Sequence, residues 1–194
     1  MRKHGLCLNQ DKRIIGTITG IYIGDVFVYR TELAVVGLHG QLEVDVDYLP
    51  GGMSSNGELI ATSVIVSGGY ENGVDQGDFI IYSSDGGEEK NSRQIFHQKL
   101  EGGNLAMERS MHYGIEVRVI RCVQYEGTAS VFDKVYFYVG LYRIVKYWVD
   151  GKYGFDVYKF KLLRIDSQAK MDCDVFNPGC LISRYFQQKG ERRY

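Results

Sequence analysis

Apolar positions fall in short runs rich in β-branched residues, and glycine or polar clusters break the runs, so the pattern predicts strands more often than helices. Leu59 to Ser67 and Phe79 to Ser83 are the clearest strands. Upstream, Ile21 to Arg30 reads as two short extended pieces about a Gly24-Asp25 turn, and Leu33 to Val36 continues the apolar pattern. Downstream, strands are predicted over Glu116 to Val123, over Val131 to Trp148 with a break at Gly140, and over Phe155 to Ile165. The last of these alternates apolar and polar positions, as a half-solvated strand does. One clear helix is expected over Leu105 to Tyr113, capped by Asn104 and ended by Gly114, with a further turn of helix near Gln94 to Leu100. Two long loops, residues 40–57 and 84–103, interrupt this body; such loops are functional or disordered more often than not. The pattern gives a loose segment at 1–12, one strand-rich domain at 13–168 and a poorly ordered tail at 169–194, where the periodicity stops and Pro178-Gly179 intervenes.

Composition narrows the class. A chain of 194 residues with 44% hydrophobic content fits one domain with a real core. The four cysteines form no C-x-x-C pair, and the closest two, Cys173 and Cys180, have no nearby histidine, so no metal site is expected and the thiols read as free. The first residues lack the apolar region of a signal peptide, and no apolar run reaches the roughly 18 residues of a membrane helix; an intracellular protein with no membrane partner is expected. The net charge of −1 argues against strong nonspecific nucleic-acid binding, but it is unevenly spread. Residues 1–100 hold eight basic and thirteen acidic side chains, and residues 101–194 hold fifteen and eleven. Arg143, Lys146, Lys152, Lys159, Lys161 and Arg164 read either as a solvated strand face or as a basic side that tracks phosphates.

The segment Ser67 to Tyr82 carries the most chemistry. Gly68 and Gly69 leave an apolar strand, Tyr70 follows, an acidic glycine-broken turn containing Asp75 comes next, and a second strand ends in Tyr82-Ser83. Glycine lets a backbone approach a flat ligand closely. Two tyrosines on the ends of neighbouring strands can wall a slot, and an aromatic slot with polar groups suits an unstacked nucleobase. Read alone, either tyrosine is more often a core or rim residue than the wall of a pocket. No Ser/His/Asp triad, phosphate loop or zinc signature is present, and His39 reads as a structural histidine. No catalytic residue and no cofactor are expected.

The stretch SGGYEN-x-VD-x-GD followed by IIY resembles the SRA domain (SET- and RING-associated, also called YDG). Val36-Gly37-Leu38-His39, Gly103-Asn104-Leu105-Ala106, Val117 to Arg121, Val135 to Tyr142 and Tyr158 to Arg164 extend the likeness over about residues 13–168. Met107 to Arg121 is most similar to the plant suppressor-of-variegation homologue histone methyltransferases, in the branch thought to lack methyltransferase activity. The resemblance implies a mixed α/β fold, with a strongly curved barrel-like sheet and one or two short flanking helices. It implies a nuclear, chromatin-associated module for epigenetic silencing that binds double-stranded methylated DNA by flipping the methylated cytosine out, with chromatin proteins as further partners. In that reading Tyr70 and Tyr82 stack the base, Gly68 and Gly69 make room, Asp75 and Ser83 offer polar contacts, and Gln41, Leu42, Glu43, Lys90, Asn91 and Arg93 reach the DNA from the two loops.

The chain departs from the family pattern in places. Gly73 stands where relatives carry an aspartate that meets the cytosine edge, and losing a charged acceptor removes about 1.5–3 kcal/mol. Ser83-Ser84 replaces Thr-Gly, and Val139 replaces the aspartate of Tyr-Asp-Gly, which puts stability in doubt. Glu43 and Asp45 stand where a typical relative has glutamine and glycine, and add negative charge toward phosphates. Two alternatives remain: the SRA segment of a larger histone lysine methyltransferase, and a degenerate SRA module with weak DNA binding that serves protein–protein interaction. A SET domain is absent from the sequence, so no enzyme activity is expected.

Overall fold

In the computed structural model, residues 9, 13–67, 79–84, 97–124, 134–151, 154–168 and 178–191 are described. They form a seven-stranded mixed sheet with three α-helices. The strands are β1 (Val26–Phe27), β2 (Val46–Leu49), β3 (Ile60–Ser67), β4 (Phe79–Ser83), β5 (Glu116–Gln124), β6 (Lys134–Asp150) and β7 (Val157–Arg164). The helices are α1 (Arg30–Val36), α2 (Gly102–His112) and α3 (Pro178–Glu191). The order is β2-β3-β5-β6-β7-β4, with β1 paired to β6 off this path. Only β3 and β5 run parallel; the other pairs are antiparallel. The ladder is open, with β2 and β4 at its ends, so the expected barrel-like sheet is not a closed barrel.

Long β6 organises the sheet. Its first part pairs with β5 and its second with β7, and the register shifts opposite Gly140 and again between Ile144 and Lys146. Bulges bend a strand and raise its twist. Gly140 has φ 121°, and a Cβ there would meet Gln168 Oε1 at 2.7 Å. The Gln168 amide takes that space, accepting from Leu141 N–H at 2.6 Å and donating to Leu141 C=O at 2.7 Å. The break expected at Gly140 is therefore a bulge inside a continuous strand.

Strand alternation sends side chains into two cores, one on each face. Val64, Val66, Val117, Val119, Val135, Phe137 and Phe160 pack with Ala106 and Met107 of α2 and Leu181 and Tyr185 of α3. Ile65, Ile120, Tyr136 and Tyr138 pack with Ile18, Phe27, Leu33 and Leu38 on the other side. Arg118 is buried beneath this second core and donates to the carbonyls of Ile14 (2.6 Å), Gly16 (2.8 Å) and Leu38 (3.1 Å), which pins the N-terminal arm. Burial pulls its pKa down to about 10, which leaves it charged at neutral pH. Val139 is buried in the first core, an environment that suits an aliphatic side chain.

Three expectations are corrected. Residues 30–36 are a helix and not an extended continuation. Glu32 reaches back to accept from the N–H groups of Val28 (2.9 Å) and Tyr29 (3.2 Å), and Gly37 ends the turn at φ 85°. The second helix starts at Gly102, earlier than Asn104; Asn104 lies inside it and donates to Lys99 C=O at 3.0 Å. The tail expected to be poorly ordered contains α3, which buries Leu181 and Tyr185 in the first core. Its polar side is tied down as well: Gln188 donates to Asp25 Oδ1 (3.1 Å) and accepts from Val26 N–H (3.2 Å).

Candidate nucleic-acid interface

Alternation along β4 places Ile80 and Tyr82 inward and Ile81 and Ser83 outward. Tyr82 is 4% exposed and lies opposite Phe160 of β7, with ring centroids 6.4 Å apart. Tyr147 stacks on the same Phe160 at 5.9 Å and lies 6.3 Å from Tyr158. A row of aromatic rings thus backs the position where Tyr82 meets a cavity of about 510 Å³. That volume lies in the range of pockets that enclose a small organic group.

Two segments wall the cavity beside Tyr82. One is the end of β4 with the chain that precedes α2. Ser84 N–H donates to Tyr158 C=O at 3.0 Å, Gln98 Nε2 donates to Ser84 C=O at 2.6 Å, and Tyr158 N–H donates to Gln98 Oε1 at 2.8 Å. Gln98 therefore stitches the start of β7 to the residue after β4. Asn104 lines the same cavity from the first turn of α2, beside Gly103, whose missing Cβ allows close approach to Val46.

The other wall is Glu43, Val44 and Asp45, in the loop before β2. Its backbone is held from below. His39, fully buried, meets Val44 C=O at 3.0 Å through Nε2 and Ser63 Oγ at 2.9 Å through Nδ1. A carbonyl only accepts, so Nε2 carries the proton and Nδ1 accepts from Ser63. Burial pushes the His39 pKa down to about 4, against the opposing pull of the Val44 carbonyl and of Asp47, so the ring is neutral. Arg30, the first residue of α1, donates to the carbonyls of Gln41 (3.4 Å) and Val44 and pairs with Asp45 at 3.0 Å. Buried Asp47 accepts from Gly40 N–H at 2.8 Å and pairs with Arg13 at 3.3 Å.

Of the residues singled out in the sequence, the structure brings Tyr82 and Glu43 to this cavity. Ser83 is exposed on the opposite face of β4, and Ser84 takes the cavity position. Leu42 is exposed beside the cavity loop, and Gln41 offers its carbonyl to Arg30. Gly68, Gly69, Tyr70, Gly73, Asp75, Lys90, Asn91 and Arg93 lie outside the described residues. The negative charge at Asp45 is matched by Arg30 and is not presented alone toward an approaching anion. Arg30, Gln98 and Asn104 did not stand out in the sequence as site residues. The signal for Arg30 was Glu32 with Gly37, a short capped helix that would have turned Arg30 toward the loop.

In the basic cluster of the C-terminal half, Arg143, Lys146, Lys159 and Lys161 lie on the outward face of β6 and β7, Arg164 shares the face of Phe160 and Leu162, and Lys152 lies outside the described residues; the described members have partners within the chain. Lys159 pairs with Asp150 and Arg143 with Glu116, while Lys146 and Lys161 lie over the rings of Trp148 and Phe79. Arg164 donates to Val139 C=O at 2.9 Å. Among the described residues no group of three or more histidine, cysteine or carboxylate side chains is placed to hold a metal, and no helix is long and apolar enough to cross a membrane.

Residues 14–168 match the family model described as the SAD/SRA domain. The chain is 57% identical over 176 residues to the histone-lysine N-methyltransferase family member SUVH9 of Arabidopsis thaliana and 54% identical to SUVH2 of the same plant. Each alignment covers 90% of this chain and 27% of the relative, so the chain spans about a quarter of the length of the curated relatives it matches. Among solved structures, that of SUVH9 superposes with a TM-score of 0.76 at 55% identity, over 88% of this chain and 34% of that one. The SUVH5 SRA domain in complex with fully methylated CG DNA superposes at 0.69 with 38% identity, over 82% of this chain and 99% of that one.

Proposed function

The chain belongs to the SAD/SRA domain family, and on that premise we propose that it is a methylated-DNA-binding module that takes a methylated cytosine, turned out of the duplex, into the cavity at Tyr82. The observation that carries this reading is the buried Tyr82, on a row of stacked rings and open to a cavity of base-accommodating size, in a chain similar to an SRA domain solved with methylated DNA. Tyr82 supplies one stacking surface. The segment outside the described residues supplies Tyr70 for the other, with Gly68 and Gly69 for close backbone approach and Asp75 for a polar contact. Ser84, from its place on the cavity, takes the polar role that the sequence assigned to Ser83. Gln41, Leu42 and Glu43 approach the duplex from one loop, and Lys90, Asn91 and Arg93 from the other. The module works by binding, without catalysis of its own, in nuclear chromatin.

Stacking is worth about 1–3 kcal/mol per base, comparable with the few kcal/mol needed to unstack one. With Gly73 in place of a carboxylate, the preference for methylated DNA is modest. Fluorescence anisotropy with matched methylated and unmethylated duplexes at moderate salt tests this. Tighter binding of the methylated duplex, reduced by about 1–3 kcal/mol in a folded Tyr82→Ala variant, is expected. Equal affinity for both duplexes would overturn the reading and favour a degenerate module.

A second reading is favoured by the share of the relatives that the chain spans: the same residues would form the DNA-reading part of a longer histone lysine methyltransferase-type protein. A transcript continuing in frame into a SET domain would decide for it.

A further inference from the structure

We propose that Arg30 is a positioning residue for the DNA-reading cavity: its guanidinium fixes the backbone of the 41–45 loop, the wall that shares the cavity with Tyr82. The inference rests on the function proposed above and adds a residue that touches neither base nor phosphate.

The loop is anchored to the fold at its ends. Gly40 N–H is held by Asp47 at 2.8 Å, and Asp45 C=O accepts from Ile65 N–H of β3 at 2.8 Å. Between these anchors Leu42 and Val44 are about half exposed, so side-chain burial does little to fix the wall. Between the anchors the backbone itself is held, by His39 on Val44 and by Arg30 on Gln41 and Val44 together. A planar guanidinium fork spans two carbonyls and a carboxylate at once; a lysine ammonium, a point charge on a flexible stem, does not. The Arg30 side chain is 21% exposed and that of Asp45 12%, so this cation is turned into the loop and already faces a carboxylate. An arginine held to track a phosphate would present its charge outward instead. Asp45 has the separate task of matching the charge, because Arg30 grips the loop through carbonyls that do not depend on it.

The test uses the whole chain with Arg30→Gln, Arg30→Lys and Asp45→Asn. Two readouts are taken: hydrogen exchange of the Ile65 amide and of amides 40–47 without DNA, and anisotropy with methylated and unmethylated duplexes at matched salt. Unchanged exchange in β5 confirms that each variant is folded. Arg30→Gln is expected to speed exchange at the loop and Ile65 and to weaken methylated-duplex binding about tenfold, with little change for the unmethylated duplex. Arg30→Lys restores part of both. Asp45→Asn keeps the loop protection, because Arg30 holds the Gln41 and Val44 carbonyls without it. Unchanged loop exchange in Arg30→Gln would overturn the proposal. So would an equal loss for both duplexes with a shallower salt dependence, which is the mark of a phosphate contact. A wild-type chain with no methyl preference would sink the base-reading function, while the exchange data would still decide whether Arg30 holds the loop.

Discussion

His39 shows how a single buried group can tie site geometry to pH. It is locked between Ser63 and the Val44 carbonyl in the neutral form, and burial lowers its pKa to about 4. The unfolded chain takes up this proton near 6.5, the folded chain only near 4. Between those values the unfolded state binds more protons, so the contribution is complete above about pH 6.5 and falls as pH drops toward 4. The linkage is worth about 3 kcal/mol. Urea unfolding from pH 7.5 to 4.5 should therefore show a steeper loss of stability in the wild type than in His39→Gln, which has no imidazole to charge. Parallel curves would mean that the ring stays protonated or finds a new acceptor in the folded state. Asp45 makes a related point about charges read from sequence. Its sign looks wrong for a DNA-facing loop, yet the folded chain supplies Arg30 at 3.0 Å.

At the scale of elements, most strands were legible because they are runs of β-branched and aromatic residues bounded by glycine or polar turns: Phe79–Ser83 appears with the limits expected, and Ile60–Ser67 within one residue, whereas the four-residue β2, Val46–Leu49, lies inside the stretch 40–57 that was expected to be a loop. Helices were harder. α1 is only seven residues long, and Leu33-Ala34-Val35-Val36 has the composition of a strand; Glu32 and Gly37 at its ends outweigh that propensity. α3 follows a stretch with no periodicity and contains Gly179 and Gly190, and its apolar positions, Leu181, Ile182, Tyr185 and Phe186, repeat over little more than one turn, too short a run to stand out. In the fold these two side chains close the first core, and Tyr185 OH and Lys189 Nζ each donate to Glu32 Oε1 at 3.1 Å, joining α3 to the carboxylate that caps α1. The site was legible at Tyr82 and in the loop after residue 40. It was not legible at Arg30 and Gln98, whose partners are 11 to 60 residues away. If α3 is part of the domain, Leu181→Ala should cost about 2–5 kcal/mol, as for other fully buried leucines. Phe186→Ala, at a side chain 59% exposed on the same helix, should cost little. Chemical denaturation of both variants compares them directly, and a Leu181→Ala chain as stable as wild type would detach α3 from the folded unit.

At the scale of the molecule, the two cores are not separable. β3, β5 and β6 alternate along their length, giving Val64, Val119 and Phe137 to one core and Ile65, Ile120 and Tyr138 to the other. Neither core can melt while these strands keep their register, because a strand released on one face loses its ladder on both. Arg118 strengthens the link: it lies on β5, and its guanidinium reaches carbonyls on the N-terminal arm and beyond α1. The cavity at Tyr82 draws one wall from the end of β4 and the chain leading into α2, on the first core, and the other from the loop held by α1 on the second, so its shape depends on both. Unfolding should then be a single cooperative transition. Far-UV circular dichroism, which follows the sheet, and near-UV circular dichroism, which follows tyrosine packing, should report the same midpoint in urea. Ile65→Val, which removes one methylene from the second core, should shift both midpoints together by about 0.5–1.5 kcal/mol. Separate midpoints in the variant, with the near-UV change coming first, would show that the second core opens alone. The cavity wall built on α1 would then be a locally mobile element and not a fixed part of the sheet.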